Sequence, residues 1–157
     1  SASYNPKPGT AAAPETAESG YAVIYSGLMD GLELSAGLFD DGDTAENDTV
    51  GVKYTMGSVT AAYQITNVDY EATGSTDQDA SHYGISVAIN EDLSISAGRQ
   101  EIEFDGAADD EVNTGLMASY TMGSIAIGGG FNSVSSVGGS ATAEDIDASI
   151  FNIAFSF

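Results

Sequence analysis

The residues best suited to chemistry in this chain are acids. Asp40-Asp41-Gly42-Asp43, followed by Glu46 and Asp48, places hard carboxylate oxygens at the short spacing that calcium favours. Asp40, Asp41, Asp43 and Asp48 are the candidate ligands. The segment lacks the full helix-loop-helix calcium pattern, and solvated loop carboxylates are the competing explanation. No other stretch calls for a cofactor, and the absence of cysteine excludes a metal–thiolate site. Ser81-His82 is the one pair that suggests hydrolysis. It has no partner nucleophile arrangement around it, so the expectation is a polar residue at a loop–strand boundary and no enzyme.

The elements that must carry these residues are read from periodicity. From Phe151 to the end, Phe151, Ile153, Phe155 and Phe157 share one face of an extended strand, while Asn152, Ala154 and Ser156 lie on the other. The same alternation recurs upstream in Tyr21/Val23/Tyr25, Leu32/Leu34/Ala36/Leu38, Val50/Val52/Tyr54/Met56 and Val59/Ala61/Tyr63/Ile65. It returns in Tyr83/Ile85/Val87/Ile89, Leu93/Ile95/Ala97, Thr114/Leu116/Ala118/Tyr120 and Ile125/Ile127/Gly129/Phe131. This makes about ten strands in an all-β antiparallel meander. Short breaks at Gly27–Gly31, Gly57-Ser58, Asn90–Asp92 and Gly123-Ser124 alternate with long ones at 40–48, 71–79, 105–111 and 133–145. All tight turns therefore fall at one end of the sheet and all long loops at the other. Val68 and Tyr70 have the opposite parity to Ile65, which predicts a bulge or twist there.

Charge follows the same division. The chain has 24 acids against three bases and a net charge of −21, which argues against binding to a nucleic-acid backbone. Disorder is the usual meaning of such acidity, but 42% hydrophobic residues in alternation oppose it. All acids except Asp30, Glu33, Glu91 and Asp92 sit in the long connections or on strand ends feeding them.

A soluble β-sandwich would bury the bulky faces and put charges on the other side of each strand. That other side instead carries glycine, alanine, serine and threonine, with Lys53 and Glu33 its clear charges. The inverse arrangement is a membrane barrel: bulky side chains on lipid, small polar ones on a wet interior, the sheet closed so that every backbone group is paired. No apolar run has the length of a membrane helix, and a barrel needs none. Lys53, Thr60, Gln64 and Ser86 should then face the lumen, as should Ser94, Ser96, Ser119 and Asn152. Arg99 shares the parity of Ile95 and should lie at the rim or a subunit contact.

The terminal Phe151/Ile153/Phe155/Phe157 ladder resembles the outer-membrane assembly signal. With the segments Gly51–Val59 and Gly84–Gly98, it makes the chain similar to the general porins of the bacterial outer membrane, in particular those of Rhodobacter-type alphaproteobacteria. The resemblance implies a transmembrane β-barrel of roughly 16 strands, of which this single domain, 1–157, would be the C-terminal part. It implies a homotrimer, insertion by the barrel assembly machinery, and a channel for passive diffusion of small polar solutes and ions. The one-sided charge adds an expected acidic rim that binds divalent cations together with lipopolysaccharide phosphates. The alternatives are a complete smaller barrel serving as adhesin or enzyme, and a soluble acidic β-sandwich.

Overall fold

A computed structural model describes residues 2–4, 19–40, 42, 45–71 and 74–155. The strands are β1 (Ala2–Tyr4), β2 (Ser19–Tyr25), β3 (Leu32–Asp40), β4 (Ala45–Met56) and β5 (Val59–Tyr70). They continue with β6 (Gln78–Ala88), β7 (Leu93–Phe104), β8 (Glu111–Met122), β9 (Ile125–Ser135) and β10 (Ile146–Phe155). They form one sheet in the order β1 to β10, each antiparallel to the next. Among the described residues β1 and β10 do not pair with each other, so the sheet is open here.

The tight connections are built by turn chemistry. In Met56-Gly57-Ser58-Val59 and Met122-Gly123-Ser124-Ile125 the glycine has φ 60° at the first central position, as a type II′ hairpin requires. In the β6–β7 turn, Asn90 Oδ1 accepts hydrogen bonds from the backbone N–H groups of Asp92 and Leu93, both at 2.9 Å.

Two expectations need correcting. There is no bulge after Ile65, because β5 stays in unbroken register with β4 and β6 as far as Tyr70 and Val68 respectively. The long connections are also shorter than the breaks in apolar alternation. The β3–β4 loop covers 41–44, and Glu46 and Asp48 belong to β4. Both differences have one cause. Near the long-loop end the alternation inverts and does not stop. On β5, Tyr63 and Ile65 share a face with Asn67 and Asp69, while Val68 and Tyr70 turn to the face of Gln64. On β7, Glu101 and Glu103 follow Arg99 on one face, and Ile102 and Phe104 lie on the other.

The fold has almost no core of the soluble kind. Among the described residues Ala45 is the sole buried hydrophobic one, at 8% exposure. Phe155, Ile85 and Ile127 remain 60%, 48% and 37% exposed, and they lie on one continuous sheet face. An apolar surface of this extent on a chain this long has to be covered by something other than the chain itself.

Candidate pore wall

Residues directly opposite across an antiparallel ladder share a face, so the strand register defines the wall rung by rung. One rung runs Thr60, Ser86 and Ser96 across β5, β6 and β7. The next toward the short turns joins Ser94 to Ser119, and continues through Gly128 to Asn152. On the other side of the Thr60 rung, Lys53 stands opposite Ala62, and that rung continues through Gly84, Gly98 and Gly115 to Asn132. One rung further, Gln64 meets His82, Gln100 and Asn113. All eight residues expected to line a lumen therefore share one face. Three concavities of the described chain lie mainly against this same face, which makes it the concave one.

The wall's polar groups are joined locally. Lys53 Nζ lies 2.7 Å from Glu33 Oε1, directly across β3 and β4, with both side chains partly exposed. Thr55 and Thr60 share a hydroxyl–hydroxyl hydrogen bond at 3.0 Å. Gln64 Nε2 donates to Thr66 Oγ1 at 3.2 Å, and Thr66 shares a hydrogen bond with Thr49 at 3.0 Å. Glu111 Oε1 accepts from Asn113 Nδ2 at 3.1 Å, and its Oε2 accepts from the backbone N–H of Gly138 at 2.8 Å. That second bond holds the β9–β10 connection, with its 3₁₀ turn Val137–Gly139, over the start of β8.

His82 differs from expectation. It lies well inside β6 and faces the wall, half-buried between Gln64 and Gln100, while Ser81 points the opposite way. Adjacent strand residues cannot converge, so the pair offers no hydrolytic dyad. Gln100, Asn113 and Asn132 join it on the wall. Strand parity alone would have placed all four had the strand ends been drawn far enough. Met117 and Ile150 also face inward beside Gly130, 51% and 60% exposed, and exposed Ile24, Phe39 and Ile146 share that face nearer the sheet's edges, so the wall is not polar throughout.

The opposite face carries an apolar band bounded by aromatics. Tyr63 and Tyr83 sit side by side with ring centroids 6.5 Å apart, and Arg99 continues their rung. Arg99 is ion-paired to Glu101, and its Nε donates to Glu101 Oε1 at 3.1 Å. It thus stands where the outer face passes from apolar to acidic. Beyond it Asp48, Asn67, Asp79 and Glu103 form one outward rung. Most acids of the strand ends thus point away from the wall.

Of the candidate calcium ligands, Asp41 and Asp43 lie outside the described residues. Asp40 Oδ1 accepts from the Gly42 N–H, and Asp48 Oδ2 accepts from Asn67 Nδ2 at 3.1 Å. Among the described residues no three acidic or histidine side chains come together as a metal-holding group. Phe151, Ile153 and Phe155 project from the outer face of β10, and Phe157 lies outside the described residues.

A meander whose bulky residues face outward, over a wall of small polar side chains, is the architecture of a transmembrane β-barrel. The chain belongs to the Gram-negative porin family, whose model matches residues 1–157. It is a channel protein of the bacterial outer membrane and not an enzyme. No curated protein matches it.

Proposed function

We propose that this chain forms part of the wall of a water-filled channel through which small polar solutes and ions diffuse passively. The observation carrying this reading is the inverted partition of side chains. Ala45 is the one buried hydrophobic residue among those described, most of the exposed bulky residues lie on one face, and the middle of the concave face is lined mainly by glycine, serine, threonine and amides. A soluble acidic sandwich would need the reverse. The ten strands contribute to a larger closed barrel, of roughly 16 strands, assembled as a homotrimer, and residues 1–157 act as one barrel domain within it. The β10 ladder serves as the recognition element for the barrel assembly machinery.

Reconstitution of the protein into planar bilayers should give discrete conductance steps, and liposomes containing it should swell in small sugars. Membranes that stay tight to both would remove the channel reading. The outward acids beyond the apolar band also support contact with lipopolysaccharide phosphates through divalent cations, calcium among them. Chelation should then lower the thermal stability and lipid retention of the purified protein. If neither changes, that contact is absent.

A further inference from the structure

The wall contains a concavity of about 550 Å³ with more built into it than free diffusion requires. Its floor is glycine: Gly84, Gly98 and Gly115 follow one another on a single rung, so the backbone itself is the surface there. Along one side run Gln64, His82, Gln100 and Asn113, one rung away and one strand apart, and Asn132 stands at the far end of the glycine row. His82, Gln100 and Asn132 make no side-chain hydrogen bond among the described residues, so their donors and acceptors are free.

The electrostatics of this concavity are close to neutral despite the charge of the chain. Lys53 is compensated by Glu33 at 2.7 Å, and Glu111, which keeps its charge, is not among the lining residues and is turned to Asn113 and the Gly138 N–H. The acids of the neighbouring strand ends, Asp79, Glu101 and Glu103 among them, project from the other side of the sheet. An anion entering the concavity meets no uncompensated cation, and a cation meets no free carboxylate. An apolar solute would strand free amides and an imidazole without partners. Hydroxyl groups both donate and accept, and so do amides and neutral imidazole, so a hydroxylated solute satisfies this belt at no charge cost. The volume lies within the range of small-ligand sites.

We propose that the belt His82, Gln100 and Asn132, over its glycine floor, is a binding site for neutral polyhydroxylated solutes of sugar size. The proposal rests on the reading of this face as the wet wall of a channel. The test uses the reconstituted protein in KCl, with sucrose titrated against a viscosity-matched glycerol control. Open-channel current should fall with sucrose in a saturable way beyond the control. His82→Ala and Gln100→Ala should each raise the half-saturating concentration about fivefold, the effect of one lost hydrogen bond, with sucrose block read as a fraction of each variant's own KCl current. Gly98→Ala serves as an independent variant. A Cβ there would lie 3.5 Å from the Tyr83 carbonyl oxygen, so it fits the fold while raising the floor, and it should weaken saturation too. Channels that conduct KCl, yet respond to sucrose only as to glycerol in both wild type and variants, would overturn the site and leave the channel standing. Protein that conducts no ions at all would overturn both.

Discussion

Lys53 is the one lysine on the described wall, and its value lies in what it cancels. It faces Glu33 directly across the ladder, and both side chains are exposed enough for water to screen them. Such a pair stabilises a sheet by no more than about 1 kcal/mol. Its effect on passing ions is larger, because removing one partner leaves a bare charge on a low-dielectric surface. Lys53→Met should therefore raise the preference for cations, read as a shift in reversal potential across a KCl gradient. Glu33→Gln should move the potential the other way, with melting nearly unchanged in both. If the two variants shifted the potential in the same direction, the pair would not be the wall's charge balance. His82 shows how a residue's role depends on element boundaries. As a loop-edge histidine it suggests nothing beyond polarity. As an inward residue of β6, it becomes part of a hydrogen-bonding row.

At the scale of the strand, two neighbouring residues experience two solvents. Ile85 is 48% exposed on the outer face, and Ser86 faces the wall beside Thr60 and Ser96. Arginine at the lipid-facing position should cost about 2–4 kcal/mol, whereas arginine at the wet position should cost far less. Unfolding of Ile85→Arg and Ser86→Arg in lipid vesicles compares them, and equal losses would mean the faces have been assigned wrongly. The alternation that makes this comparison possible was readable in the sequence from β2 to β10, as were the tight turns and the common face of the eight residues proposed for the wall. The upper strand ends were not. Val68, Tyr70, Ile102 and Phe104 look like a slip of register when an apolar face is assumed to keep one side throughout. Where a strand leaves hydrocarbon for water its outer residues turn polar, and inward residues near the long loops can lie against a connection, so the pattern flips while the hydrogen bonds run on. The end of β7 shows the packing. The Cβ that a side chain at Gly139 would add lies 3.1 Å from Phe104 Cδ2, so the β9–β10 connection lies against this inward phenylalanine.

The whole molecule is thus divided by height. Its outer surface is apolar toward the short turns and, on β4 to β7, acidic above the level of Arg99. The inversion marks the edge of the hydrocarbon without reference to any lipid. The chain contains no tryptophan, so single reporters can be introduced against a dark background. Phe131→Trp should be quenched strongly by bromine on lipid acyl chains, and Asp79→Trp scarcely at all. Comparable quenching at both would move the boundary past β6 and dissolve the distinction between band and rim. Net charge then has a clear location. Described strand acids such as Asp48, Asp69, Asp79, Glu101 and Glu103 decorate the outside of the rim, so a total of −21 is a poor guide to which ions the wall admits.

The unequal hairpin ends have a practical side. The β4–β5 reversal has only Gly57 and Ser58 between its strands, held by a glycine at φ 60°, and a foreign peptide spliced there would break the chain reversal it interrupts. The β7–β8 connection is longer, with residues 105–110 between its strands, and Gly106 faces open space there. An epitope spliced at that loop should be displayed to antibodies on intact cells, which makes it a graft site for surface display.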